Sequence, residues 1–513
     1  MTETETAAPR RGFLAWVERA GNALPDPVFL FFALTAILAV LSEIAARAGL
    51  SSRHPANGEA VAAVSVFSAA NLQRLLVDMP TTFTHFHPLG YVLVVMLGAG
   101  VAERSGLFGA AMRAAVRRAP SALLTPAVAA AGMMGNLAAD AAYVVLIPLA
   151  GLIYAAAGRH PLAGIVAAFA GVSGGFSANL LVGQLDALLF GITETAAELL
   201  NPAWDANIAG NWWFIAAMFA LFLPVIWIVT DRVVEPRLGA WTGGATPDGH
   251  EGQSGPLTRE ERRGLWRAGA AALAVTALWV LLLVGPGTPL VDEDAAVAQG
   301  RLSPLYRSLV AGFFLLFLVC GWAYGAAVGA IRGHRDVVKM MASSMSLLGY
   351  YLVLAFAAAH FIALFNWTNL GLILAIEGAE ALRSTGAPAP VLLAGIVLLS
   401  ATVNLLIGSA SAKWALLAPI LVPMLMLLNV SPEMTTAAYR MGDSTTNIAT
   451  PLMVYFPLIL SFCQRWQPGY GLGSLLANML PYSLWLLIVG LAMTVAWVAL
   501  GIPLGPGAGI AYP

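Results

Sequence analysis

Long apolar runs recur through this chain, and they limit what it can fold into more than any other feature. Trp212–Val229 and Leu472–Leu500 contain no Asp, Glu, Lys or Arg at all, and Phe29–Ala46 contains only Glu43. A helix needs about 20 apolar residues to cross about 30 Å of hydrocarbon. The runs are continuous rather than alternating, so they predict helices and speak against a membrane β-barrel. Over 513 residues only 10% are charged and 59% are hydrophobic, whereas soluble domains carry about 25% charged residues. The expected fold class is therefore an all-α polytopic membrane protein. A net charge of -1 makes nucleic acid an unsuitable partner. Cys320 and Cys463 are the only cysteines, both within apolar runs, which excludes a disulfide framework and a cysteine-rich metal site. The first apolar run is too long for a signal-peptide core and reads as a retained first span.

Residues 12–23 read as an amphipathic surface helix, with Phe13, Leu14, Trp16 and Val17 set against Arg11, Glu18 and Arg19. Ser51–His87 is a polar connection and Leu89–Val101 a short second span. Asp231–Arg267 is the one sizeable hydrophilic loop. Arg and Lys cluster before the first span, after the second, in that loop and at Arg332–Lys339. The positive-inside rule puts these segments, and the N-terminus, in the cytoplasm. The expectation is about nine full spans plus two re-entrant hairpins in a multi-pass membrane protein.

The hairpins are read from interruptions. Leu123–Met134 and Tyr143–Tyr154 are each too short to cross and flank the polar Gly135–Asp140. Ile165–Phe190 is interrupted by Ser173-Gly174-Gly175-Phe176-Ser177-Ala178-Asn179. Non-helical backbone at membrane depth is tolerated only inside protein or against a wet cavity. The same order returns later. Asp140 to Pro148 aligns without gaps on Ser411 to Pro419, with Tyr143 on Trp414. Ala167 to Asn179 aligns on Ala437 to Asn447 with a two-residue gap. This predicts an inverted repeat with broken helices. The first half is 1–230, with a hairpin near 121–156 and a broken helix near 162–190. A cytoplasmic linker covers 231–267. The second half is 268–513, with a hairpin near 389–428 and a broken helix near 432–462. Secondary transporters are commonly built this way, with the substrate held at mid-membrane where the broken elements meet.

The densest chemistry lies in the second half. Arg440, Asp443, Ser444 and Asn447 are spaced three, four and seven apart and would share one helix face, with an Arg440–Asp443 pair the simplest outcome. Thr450-Pro451 should end that helix, because proline lacks the N–H and clashes with the preceding turn. The Asp443 carboxylate, the Asn447 amide and freed carbonyls are hard oxygen ligands, suited to Na⁺ or to a proton on Asp443. Asn179 and Asp186 are also seven apart and would share a face in the first half. Lys413 reads as a snorkelling residue, Pro432 as the first helical residue after a Ser431 cap, and Asn404 as a buried amide. Seven histidines include no His-Glu-x-x-His. Gly171-Val172-Ser173-Gly174-Gly175 matches Gly-x-Ser-x-Gly but lies in an apolar helix rather than at the required strand-to-helix turn. An intramembrane enzyme is therefore disfavoured.

Ser409-Ala-Ser-Ala-Lys-Trp414, Tyr439-Arg-Met-Gly-Asp-Ser-Thr-Thr-Asn447, Phe365-Asn-Trp-Thr-Asn-Leu-Gly371 and Ser177-Ala-Asn-Leu-Leu181 resemble motifs of the p-aminobenzoyl-glutamate transporter (AbgT) family. Length, spans and linker fit along nearly the whole chain; the first hairpin tip is less glycine-rich than the family pattern. The resemblance implies a bowl-shaped homodimer with a transport core and an outer scaffold. It implies traffic in folate-related aromatic acids, with some members taking up p-aminobenzoyl-glutamate and others exporting p-aminobenzoate or sulfonamides on the proton gradient. It implies no cofactor beyond a sodium site. By motif, the implicated residues are Asp186, Asn404, Ser411, Trp414, Pro432, Arg440, Asp443 and Pro451.

The resulting expectation is a secondary active transporter in which Asp443, Asn404 and Asn447 hold Na⁺ or a proton. Arg440 would take a substrate carboxylate or pair with Asp443, and Trp414 would stack on the aminobenzoyl ring. Ser177, Asn179 and Asp186 would supply matching contacts from the first half. A sodium-coupled dicarboxylate carrier is the alternative within the same class.

Overall fold

The structure is a computed structural model and describes residues 26–53, 60–117, 120, 123–138, 142–241, 257–284, 287–292, 300–450, 453 and 455–512. The expected amphipathic helix at 12–23, the hairpin-tip residue Asp140 and Pro451 lie outside the described residues. Apart from a two-strand antiparallel ribbon, Ser51–Arg53 with Ala60–Ala62, the described regular structure is helical.

Among the described residues six helices are long and apolar enough to cross a membrane: Val28–Arg47, Trp212–Leu238, Arg259–Val284, Pro304–Val328, Gly349–Trp367 and Leu472–Ala499. Several other apolar runs form helices of 10–17 residues. The stretch from His334 to Trp367 divides into His334–Leu347 and Gly349–Trp367. Both ends of the expected linker are helical. The helix beginning at Trp212 continues through a wide turn to Leu238, and the next begins at Arg259.

The two expected hairpins are helix pairs too short to cross. The first joins Leu124–Gly135 to Ile147–Ala156. The second joins Ala389–Asn404 to Ala410–Met426. Each is followed by an interrupted helix. In the first half, Pro161–Phe169 widens over Ala170–Gly174, the chain unwinds, and the helix resumes at Gln184–Ala197. In the second, Pro432–Thr446 tightens over Asn447–Ala449 and a new helix forms at Phe456–Trp466.

Local chemistry accounts for these boundaries. Ser431 accepts a hydrogen bond from the Met434 amide, at 3.1 Å, and Pro432 follows at the first helical position, where a missing N–H costs nothing. His160 plays the same part before Pro161, its Nδ1 accepting from the Leu162 amide at 3.3 Å. Gly171, in the Gly-x-Ser-x-Gly sequence, has a packing role. A Cβ there would lie 2.8 Å from the Ala129 carbonyl oxygen of the first hairpin. At Gly442 a Cβ would lie 2.1 Å from the Val397 carbonyl oxygen, so the second hairpin and second interrupted helix can approach only because no side chain intervenes.

The helix His87–Arg104 packs along Ser303–Val328, which packs along Arg259–Val284. His87–Arg104 also packs against Gln184–Ala197. The segment after Leu500 folds back. The Leu504 carbonyl accepts from the amides of Trp213 and Phe214, and the Ile510 carbonyl from Ser431.

Candidate functional site

The two interrupted helices cross in the buried core, and each brings charge to the crossing. Asp186 is in the first turn of Gln184–Ala197, where one carboxylate oxygen accepts from the Gly183 amide at 2.8 Å. Its other oxygen accepts from Arg440 Nη1, also at 2.8 Å. Both side chains are nearly inaccessible, at 1% for Arg440 and 5% for Asp186. Asn211 Oδ1 lies 3.4 Å from the same Arg440 nitrogen. Arg440 Nε is buried and has no hydrogen-bond partner among the described residues, a donor that the fold leaves over at this point.

A second pair lies one helical turn further on. Lys413 Nζ is 2.5 Å from Asp443 Oδ1, with side-chain exposures of 0% and 2%. Lys413 also donates to Asn404 Oδ1. The Asn404 amide donates to the Asp443 carbonyl at 2.6 Å and to Thr446 Oγ1 at 2.9 Å. Tyr439 OH is 3.4 Å from Asp443 Oδ1 and donates to the Ala410 carbonyl at 2.6 Å.

This wiring corrects two expectations. Arg440 and Asp443 do not pair with each other; each takes a partner from another element, Asp186 and Lys413. Lys413 does not snorkel, because no path to water exists for a side chain with 0% exposure. A third correction concerns Asn179 and Asp186. They do not share a helix face, since residues 175–183 are unwound and Asp186 lies beyond the break. Asn179 instead stitches the unwound stretch to its surroundings. Its Nδ2 donates to the Met133 carbonyl at 3.2 Å, and its Oδ1 accepts from the Leu181 amide at 3.2 Å.

The remaining candidates gather at the same crossing. The Ser177 amide donates to Ser444 Oγ at 2.9 Å, and Asn447 Nδ2 lies 3.4 Å from the Ser173 carbonyl. These bonds join the two breaks directly. Ser411 Oγ is 3.3 Å from Ser409 Oγ at the start of the second hairpin's inner arm. Trp414 is fully buried. Its ring stacks on Tyr439, with centroids 4.4 Å apart, and its Nε1 donates to Thr193 at 2.9 Å. In this conformation the Trp414 ring therefore faces a tyrosine. Pro432 is buried at the helix start.

Sequence reasoning passed over an aromatic pair, Tyr143 and Tyr455. They stack at 4.3 Å with rings tilted by 13°. Tyr143 is the residue aligned on Trp414, and that alignment was the available signal. Two cavities meet at this stack. One of about 180 Å³ is lined by Asn136, Tyr143, Phe176, Gln184, Leu185 and Leu188 among others. One of about 170 Å³ is lined by Tyr143, Phe176, Gly408, Ala410, Asn447, Met453 and Tyr455. Tyr143 and Phe176 border both. A larger cavity, of about 510 Å³, lies against Arg113, Glu261 and Tyr324, and its lining includes neither charge pair.

At one edge of the core, Arg159 binds Asp231 at 2.6 Å and also pairs with Glu235. Burial opposes the Arg159 charge, but its two acidic partners more than offset this and hold its pKa above the ordinary value. The neighbouring His160 imidazole is pushed down by burial, which the Glu235 charge only partly opposes. Among the described residues no group of three or more His, Cys, Asp or Glu is placed to hold a metal ion.

A family model described as "AbgT putative transporter family" matches residues 12–512. The chain belongs to the AbgT family. It is 36% identical over 492 residues to the p-aminobenzoyl-glutamate transport protein of Escherichia coli K12, covering 96% of each chain. Two solved structures agree in fold, each 43% identical to this chain. The Neisseria gonorrhoeae MtrF structure, described as illuminating a class of antimetabolite efflux pumps, superposes with a TM-score of 0.91 over 97% of this chain and 100% of that one. The Alcanivorax borkumensis YdaH transporter superposes with a TM-score of 0.88 over 94% and 100%. This AbgT-family chain is thus a multi-pass membrane transporter and not an enzyme.

Proposed function

We propose that this transporter moves p-aminobenzoyl-glutamate or related folate-derived aromatic acids and sulfonamides across a bacterial inner membrane, coupled to H⁺ or Na⁺. The observation that carries this reading is the crossing itself. Two buried ion pairs, Arg440–Asp186 and Lys413–Asp443, lie in the same core as a stacked aromatic pair bordered by two cavities. An aminobenzoyl-glutamate has a flat ring, an amide and carboxylates. Tyr143, Tyr455 and Phe176 suit the ring, and Asn136, Gln184 and Asn447 suit the amide. Arg440, with its unmatched Nε, suits a carboxylate.

Breaking a buried ion pair costs about 3–5 kcal/mol when the remaining charge is left alone. A bound anion that pairs with Arg440 compensates that one charge, while Asp186 keeps its hydrogen bond from the Gly183 amide. Alternating access then moves the two hairpins and interrupted helices, as inverted repeats 1–230 and 268–513 around the linker 231–267, against the flanking helices. The N-terminus lies on the cytoplasmic side, where the Arg- and Lys-rich loops gather, and the working unit is a homodimer.

Counterflow of labelled p-aminobenzoyl-glutamate in proteoliposomes tests this reading. Exchange that unlabelled p-aminobenzoyl-glutamate or a sulfonamide inhibits, and succinate does not, is the expected result. No exchange with any aromatic acid, or displacement by succinate alone, overturns it.

A further inference from the structure

We infer that Asn136 and Gln184 read the ring amino group of the substrate. They line a cavity that takes the uncharged end of an aromatic acid, and they set a preference for a para-amino ring over one without an N–H donor. The inference rests on the transport reading above and narrows it.

The fold brings the two amides together. Asn136 directly follows Leu124–Gly135, the first arm of the first hairpin, and Gln184 opens the helix that resumes after the unwound stretch. Gly183 leaves room for the hairpin tip, since a Cβ there would lie 2.6 Å from Leu137 Cδ2. Gln184 and Asp186 stand two apart, about 200° around the helix. Asp186 turns to Arg440, whereas Gln184 lines the cavity of about 180 Å³ together with Asn136.

The hydrogen bonds of these amides select a donor as their ligand. Asn136 Nδ2 donates to the Met133 carbonyl at 3.1 Å and lies 3.5 Å from the Gly175 carbonyl. Carbonyls only accept, so the orientation of this amide is set. Its Oδ1 is left over, with no partner among the described residues. Gln184 makes no side-chain hydrogen bond to any described residue, so its Oε1 is available to a ligand. An arylamine offers two N–H donors and accepts weakly, because its lone pair is shared with the ring. Two amide oxygens, one from each element, match those two donors.

The rest of the cavity suits the ring. Tyr143, Phe176, Leu185 and Leu188 supply aromatic and aliphatic surface, and no Asp, Glu, Lys or Arg is among the described residues that line it. An apolar cavity of about 150 Å³ holds a benzene molecule, so this one admits an aminophenyl group. A carboxylate placed here would lose its hydration with no cation to replace it. An arylamine is neutral at physiological pH and meets no such cost. Tyr143 and Phe176 also border the second cavity, where Asn447 lies. A ring held at this shared wall points its amino group at Asn136 and Gln184 and its acyl group at Asn447. The three amides are thereby divided: Asn447 serves the amide bond of the substrate, and the other two serve its amine.

The test uses the full chain in proteoliposomes, with counterflow of labelled p-aminobenzoyl-glutamate against unlabelled competitors. Absence of counterflow in the wild type sinks the transport reading rather than this one. Given counterflow, p-aminobenzoyl-glutamate should compete at concentrations at least about tenfold lower than p-methylbenzoyl-glutamate. The methyl group matches the amino group in size but donates nothing. Gln184→Leu, which removes no side-chain hydrogen bond made within the described fold, should cut that ratio to about threefold or less. Equal competition by the two compounds in the wild type, or a Gln184→Leu variant that keeps the wild-type ratio, would overturn the inference. The wild-type comparison needs no variant to fold.

Discussion

Arg440 and Asp186, 254 positions apart in sequence, meet at 2.8 Å in the buried core. Their contact joins the interrupted helix of one half of the chain to that of the other. Both side chains are shut off from bulk solvent, at 1% and 5% exposure.

Asp186→Asn should therefore leave the Arg440 charge uncompensated and destabilise the protein by about 3–5 kcal/mol. Replacing both residues with apolar ones of similar size should restore much of the thermal stability in detergent without restoring counterflow. A double variant as unstable as the single one would show that the pair does not behave as a coupled unit.

Gly442 allows the second hairpin to reach the second interrupted helix. In Gly442→Ala the added Cβ would meet the Val397 carbonyl at 2.1 Å, so the backbones must separate, at about 1–3 kcal/mol. The expected outcome is a lower unfolding temperature and a loss of transport. A variant with wild-type stability would mean that the two helices tolerate a wider spacing.

Tyr143 and Tyr455 offer a stacking surface between two cavities. Aromatic pairs contribute about 0.5–1.5 kcal/mol beyond area burial, so Tyr143→Ala or Tyr455→Ala should raise the KM for an aromatic substrate by up to about tenfold. Tyr143→Phe should stay near the wild type. Initial rates of uptake into proteoliposomes measure this, and unchanged KM in both alanine variants would remove the stack from substrate recognition.

His160 caps a helix with its unprotonated Nδ1, and burial depresses its pKa below the usual histidine value. A depressed folded-state pKa means that its contribution to stability is complete above the unfolded value of about 6.5. It is lost as pH falls through the folded-state pKa. Unfolding temperature in detergent should fall on acidification below that range. His160→Asn, which keeps a capping oxygen and does not titrate, should flatten the profile. Equal pH dependence in both proteins would assign the effect to other groups.

The breaks were legible in the sequence because glycine and proline act locally. Ser173-Gly174-Gly175 and Thr450-Pro451 mark where the helices stop, whatever surrounds them. Ser431-Pro432 likewise announced a helix start. The partners were not legible. Arg440 and Asp443 stand three apart, so periodicity joins them, but their true partners come from other elements that no local spacing reveals. The fate of Lys413 depended on depth. A lysine near a span end snorkels, whereas one beneath two packed helices must find a carboxylate. Asn179 and Asp186 were assigned a shared face by counting residues along a helix that is unwound between them.

The segment after Leu500 closes its contacts late. The Leu504 carbonyl receives the amides of Trp213 and Phe214, and the Ile510 carbonyl receives that of Ser431. Those donors are made on the ribosome long before their acceptors. During synthesis the leading amides of two helices therefore go without these acceptors until every described helix has been made.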